Sequence, residues 1–351
     1  MEYWFRYGVT EIPIEVSEEI SCEKISLYRG FEVDYKILSE IAGEVGRKSG
    51  EVTILYDHEH QTQLELLRSL LYEIQSQTSL EGRVKIIFSS WRTSPRIVEE
   101  ILKSSLKGFS CKIEYVEDCK KTSYTGLKIP VDVLESDTRI LVTSILPHGL
   151  YRYPSIVNSL IYSKLIEKEE DVDVHSILED KLQILGLCIV GEKTYLDSLT
   201  NLDKSSIIEA EKIYTVNLEP VDILIADAWG WPWDSTLEST LHILRLVYKG
   251  VREDGMIGLI AECKEGIGRR EFTEKLFKIY EENIQDSYIE IVREVLRNRR
   301  VGMVTTLPRT LLENTLHIKS FDTPQEFLKY SLRIYSKNAR IRIVNGPILI
   351  E

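Results

Sequence analysis

Several short runs combine residue types that handle protons, anions or metals. Asp57-His58-Glu59-His60 sets two imidazoles at alternate positions beside two carboxylates, a pattern that suits metal ligation or an exposed turn. His148 follows Pro147, which places its ring at a loop mouth, and an imidazole titrating near ~6.5 suits proton transfer. Glu238 and His242 are four residues apart, on one face of a helix, and can serve as an acid/base pair. Glu238 also completes Ser235-x-x-Glu238, a capping-box pattern, so its role stays open between the two. Gly266-Ile267-Gly268 frees the backbone to approach an anion ahead of the next helix.

These runs need elements to hold them. Residues 51–56 read as a buried strand, followed by Leu64, Leu67, Leu71 and Ile74 at helical spacing. Residues 84–88, 112–116 and 139–145 read as further strands, with helices through 97–102 and over 153–168. The pattern restarts with a strand at 221–226, a helix over 235–249, a strand at 256–261, helical stretches over 269–297 and a strand at 301–305. Residues 203–213 read as a connecting helix, and the final run 341–344 fits either sheet. The opening, 3–7 and 12–16, reads as a β-hairpin. Strands alternating with helices predict two α/β domains with mostly parallel sheets, divided as 1–210 and 211–351. The polar runs fall after strands in both halves, where open α/β sheets bind ligands. The expectation is an interdomain cleft.

Composition narrows the function classes. The 351 residues are 43% hydrophobic and 28% charged, which is globular composition. A net charge of −12 disfavours nucleic acid or an anionic membrane as partner, while leaving room for a pocket that takes a small anionic or hydroxylated ligand. The apolar runs are far shorter than the ~20 residues of a spanning helix. The opening Met-Glu-Tyr-Trp, with Glu11 close behind, is unlike a signal peptide. Five scattered cysteines with no CxxC pair predict reduced thiols in a cytoplasmic protein. No GxGxxG or GxxxxGK[ST] follows a predicted strand, which argues against an ordinary nucleotide-binding module.

The stretch from Asp227-Ala-Trp-Gly-Trp-Pro-Trp-Asp234 to Ala261-Glu-Cys-Lys-Glu-Gly-Ile-Gly268 resembles the nickel-dependent lactate racemase family. That family carries a Gly-Tyr-Pro-x-Asp turn, a helix and an Ala-Glu-Cys-x-Glu-Gly-Ile-Gly segment after a strand. Tyr7-Gly8, Asp57, Pro147-His148 and the ending from Thr323 fall in family order. The resemblance implies two α/β domains with an active site between them. It also implies inversion of a small 2-hydroxy acid, by racemisation or epimerisation. A lysine-tethered nickel pincer nucleotide would accept the hydride while histidines move the hydroxyl proton.

Carried onto this chain, the resemblance makes His148 an acid/base and puts Glu117 at a second acid/base position. It gives substrate- or cofactor-binding roles to Asp57, His60, Glu238, Ser239, His242, Glu262, Gly266 and Gly268. His175 is either the nickel-binding histidine or a helix-start residue. Several positions depart from the pattern. Asn158 stands at the cofactor lysine, with Lys164 six residues on along the same predicted helix. His60 replaces an arginine, and Glu238, Ser239 and His242 replace a tyrosine, a glutamine and a lysine. Covalent cofactor attachment is therefore doubtful, and a non-catalytic relative that keeps the fold as a small-molecule or protein-binding module is the alternative.

Overall fold

The computed structural model describes residues 1–27, 31–48, 50–58, 61–78, 82–90, 92–149, 152–169, 171–281 and 286–351. The chain packs as two units. The first comprises Met1–Tyr28, Pro147–Arg152 and Tyr214–Glu351; the second comprises Arg29–Leu146 and Tyr153–Ile213. The division into 1–210 and 211–351 differs from this in the placement of residues 1–28, 147–152 and 211–213.

The chain opens with an antiparallel hairpin, β1 (Glu2–Tyr7) and β2 (Thr10–Glu15), then β3 (Cys22–Ser26). The second unit follows with α1 (Tyr35–Lys48), β4 (Val52–Asp57), α2 (Gln61–Gln77), β5 (Val84–Ser89), α3 (Pro95–Ser105) and β6 (Cys111–Tyr115). Next come β7 (Lys121–Tyr124), β8 (Leu127–Pro130), α4 (Val131–Glu135), β9 (Thr138–Ser144) and α5 (Ile156–Tyr162). The remainder is β10 (Glu167–Lys168), α6 (Val174–Ser176), β11 (Leu185–Val190), β12 (Lys193–Ser198) and α7 (Leu199–Tyr214).

The main sheet of this unit has the order β12-β11-β9-β4-β5-β6, and every pairing except β11 with β12 is parallel. β4 is buried at every position, as a central parallel strand covered on both faces must be. Ile54, Ile86 and Ile140 pack against Leu38 and Ile41 of α1 and Leu67 and Leu71 of α2. The leucine spacing read from the sequence is thus the buried face of α2. The expected helix over 153–168 is shorter, ending at Tyr162. Lys164 takes φ 61, and the chain turns into β10, which pairs with β8.

The first unit resumes with β13 (Thr215–Val216), β14 (Val221–Asp227), α8 (Leu237–Val247), β15 (Val251–Ile260), α9 (Arg270–Leu276) and α10 (Ser287–Asn298). It ends with β16 (Arg300–Val304), β17 (Lys319–Phe321), α11 (Pro324–Tyr335), β18 (Ile341–Asn345) and β19 (Leu349–Ile350). Six parallel strands run in the order β17-β16-β15-β14-β18-β3. β3 pairs with β18 from Cys22↔Ile341 to Ser26↔Asn345, so the N-terminal segment completes this sheet. Phe5 and Ile14 of the hairpin share a core with Ile225, Ile260, Phe327 and Ile343. Both units are therefore α/β layers built on mostly parallel sheets. No described helix is long and apolar enough to cross a membrane.

Candidate functional site

The carboxyl ends of the first unit's strands carry a connected polar cluster. β14 ends in Asp227, whose buried carboxylate accepts backbone N–H groups of Arg6 at 3.2 Å, Trp229 at 3.3 Å and Gly346 at 3.3 Å. Those bonds fall where strand order reverses between β14 and β18, so the switch point of this sheet is taken up by the protein itself. The turn after β14 leads to Asp234, whose Oδ2 accepts Gly8 N–H at 2.5 Å and Glu262 N–H at 3.2 Å. Burial pushes the Asp234 carboxyl up to about 6, nearby Glu262 pushes the same way, and the two backbone donors pull it down. Tyr7 is pushed up to about 12 by burial and then by Cys263, Glu262 and Asp234. The Cys263 thiol, 1% exposed, is likewise pushed up to about 12, mainly by burial, which makes it an inert packing group.

The Gly-rich loop serves the helix that follows β14. Gly266 O accepts Leu237 N–H at 3.0 Å and Ile267 O accepts Glu238 N–H at 2.8 Å, so two of the orphan donors at the start of α8 end on this loop. The N-cap is Thr236, whose hydroxyl accepts Ser239 N–H at 3.2 Å. Ser239 Oγ donates to Thr236 O at 3.0 Å, which commits its hydroxyl to the cap. Glu238 is 2% exposed and accepts Arg269 N–H and Arg269 Nε–H, each at 2.9 Å. Gly268 lies so close to Glu238 that a Cβ there would stand 2.6 Å from the Glu238 Cβ. Gly266 and Gly268, expected to open onto an anion, lie in a loop whose carbonyls staple α8 to the end of β15. The capping-box reading of Ser235 and Glu238 is replaced by Thr236 with Ser239, because the helix begins one residue later than the pattern required. The Glu262 carboxylate packs against Gly8, with Lys264 Nζ 3.5 Å from it.

His148 and His242 come together. His148 opens a tight reversal in which its N–H and C=O exchange bonds of 2.8 and 2.9 Å with Arg152. His242 lies on α8, one turn beyond Glu238. The two ring centroids are 4.4 Å apart and tilted by 55°. His148 is 5% exposed and His242 fully buried, so the imidazole expected at a loop mouth is packed against a second one. Gly149 permits this approach: a Cβ there would lie 3.1 Å from His242 Nδ1 and from its backbone oxygen. His242 packs on His148, while the Glu238 carboxylate accepts from Arg269.

The other nominated residues lie in the second unit. Asp57, 2% exposed, ends β4 and accepts Gln63 Nε2–H at 3.1 Å and the Thr143 hydroxyl at 2.9 Å. The order β9-β4-β5 makes this the point where strand order reverses, so Asp57 and Thr143 straddle that sheet's switch point. Beside them His58 Nδ1 lies 2.8 Å from the Tyr56 hydroxyl. Arg92, in the loop after β5, is 1% exposed, a burial that sequence reading missed although the residue stands at a strand end. His60 and Glu59 lie outside the described residues. Glu117 sits in the turn after β6, half exposed and 3.6 Å from Lys164 Nζ, as a surface ion pair. His175, offered as a nickel ligand or a helix-start residue, lies in the short helix α6, capped by Asp173. Asn158 is exposed in the first turn of α5, with its N–H on Ser155 Oγ at 3.0 Å.

No family model matches the chain, and no curated protein matches it significantly. Its structure is similar to that of the lactate racemase apoprotein from Thermoanaerobacterium thermosaccharolyticum, with a TM-score of 0.68, 15% identity and 100% of each chain covered. The chain has the lactate racemase fold. At that identity the likeness concerns the fold alone, over the whole of both chains.

The resemblance implies a lysine-tethered nickel group. Asn158, expected from the sequence to stand at the tether position, is an exposed amide, which forms no such link, and Lys164, past the end of α5, pairs with Glu117 at 3.6 Å. Among the described residues no three His, Cys, Asp or Glu side chains gather as a metal site. The described residues of this fold do not fit that group.

Proposed function

We propose that this lactate-racemase-fold protein binds a small hydroxylated anion, of the 2-hydroxy acid class, at the His148–His242 pair. One observation carries the reading: two buried imidazoles from separate chain segments, 4.4 Å apart, held together by a glycine at 149. A carboxylate bound there gains a charge-assisted hydrogen bond from an imidazole that carries a proton, so affinity is expected to be higher at low pH than at high pH.

A second reading, racemase or epimerase action on such an acid, is favoured by the same pair, since adjacent imidazoles can serve as acid and base for the hydroxyl proton. Against it, an imidazole titrating near ~6.5 is far too weak a base to remove an unactivated α-proton. Neither Asn158 nor the Lys164–Glu117 pair supplies the missing chemistry.

Calorimetric titration with D- and L-lactate at pH 6 and pH 8 tests the binding reading. Saturable binding that is tighter at pH 6, and weakened ~10-fold or more by His148→Ala or His242→Ala, is expected. Equal affinity in wild type and both variants would remove the pair from recognition. Chiral chromatography after prolonged incubation tests the second reading: inversion that disappears in His148→Ala would restore an isomerase.

A further inference from the structure

The first unit holds a second polar site at the opposite edge of its sheet, where β16 and β17 begin. A cavity of about 600 Å³ opens there, within the size range of small-molecule sites. Four permanent cations line it, Arg297, Arg299, Arg300 and Lys319, against two carboxylates, Asp254 and Glu313. A local cationic surplus runs against the −12 of the whole chain.

Part of that charge is structural. Arg299 donates to Val251 O at 3.1 Å and to Asn298 O at 3.2 Å. Lys319 pairs with Glu313 at 2.9 Å. That leaves Arg297, in the last turn of α10, and Arg300, at the first position of β16, with its guanidinium 5.9 Å from the Tyr335 ring centre. Neither Arg297 nor Arg300 forms a salt bridge with a described carboxylate. The remaining wall is apolar: Met256 and Ile318 are buried, and Tyr330 is 36% exposed beside them.

We propose that this cavity binds a phosphorylated small molecule with a flat, weakly polar body. Arg297 and Arg300 hold the phosphate, whose oxygens match the planar fork of a guanidinium. The body lies against Met256, Ile318 and Tyr330. The site is separate from the His148–His242 pair and does not depend on the function assigned to it.

Adenosine monophosphate is the probe, titrated calorimetrically into the full chain, with adenosine and inorganic phosphate as comparisons. Saturable binding of the nucleotide is expected, with adenosine at least ~10-fold weaker and Arg297→Ala/Arg300→Ala weakened ~10-fold or more. Raising salt from 50 to 300 mM weakens it further, as screening of exposed charges requires. His148→Ala leaves the affinity unchanged, which separates this site from the other. No saturation by 1 mM nucleotide, adenosine binding equally well, or the double variant binding like wild type would each overturn the proposal. Should the double variant fail to fold, Arg300→Gln alone carries the same comparison, since that side chain lies at the surface.

Discussion

Asp234 shows how much a single buried carboxyl can carry. It ties the hairpin, through Gly8, to the end of β15, through Glu262, and burial raises its proton affinity to a value of about 6. An unfolded aspartate titrates near ~3.9, so between that pH and about 6 the folded state binds the extra proton. Stability from this group is present below the unfolded value and is lost as pH rises through about 6, on the order of 3 kcal/mol in all. Urea unfolding at pH 5 and 7.5 is expected to show that loss in wild type and a flatter difference in Asp234→Asn. An unchanged pH slope in the variant would assign the titration elsewhere. The residue lies in the Gly-Trp-Pro-Trp-Asp turn, so the sequence contained it, yet nothing in the turn announces a clamp. Its partners lie 226 and 28 residues away.

At the scale of elements, α8 and the loop after β15 form one device. The loop carbonyls cap the helix, and the Glu238 carboxylate clasps Arg269 in return. Glu238→Ala is expected to lower unfolding free energy by about 1–3 kcal/mol, a range reduced because Arg269 is partly exposed and can recover water. Glu238→Gln, which keeps one of the two acceptor oxygens, should cost less. A catalytic Glu238 would show the opposite pattern, full stability in both variants with lost turnover. Gly149→Ala presses a methyl group onto His242 and should weaken lactate binding ~10-fold, at a stability cost of about 1–3 kcal/mol. The Glu238/His242 spacing was legible as a shared helix face. What each residue faces was not, because Arg269 and His148 approach from other parts of the chain.

For the whole molecule, topology sets the terms. The first unit is assembled from three stretches of chain, and β3 supplies an outer strand of its sheet. Removing residues 1–28 strips the hairpin core residues Phe5 and Ile14 and bares the edge of β18. A fragment of residues 214–351 is expected to lack a cooperative thermal transition by circular dichroism, and a fusion of 1–28 to it should recover one. A cooperative transition in the fragment alone would mean that the hairpin and β3 are dispensable.

Local pattern alone settled much of this protein. Buried apolar runs specify β4, β5, β14 and β15, leucine spacing specifies α2, and their alternation specifies parallel α/β layers, because each depends on neighbours a few residues away. The placement of acidic and Gly-rich runs after strands also follows from that alternation. Tertiary structure alone decided which side chains meet. It set His148 on His242, spent the Gly-Ile-Gly carbonyls on a helix end, and left Glu117 with Lys164 in a surface ion pair. It also sent the N-terminal strand to the C-terminal sheet. Such meetings depend on long-range packing, and the periodicity of a sequence carries no record of which distant segment closes a given loop.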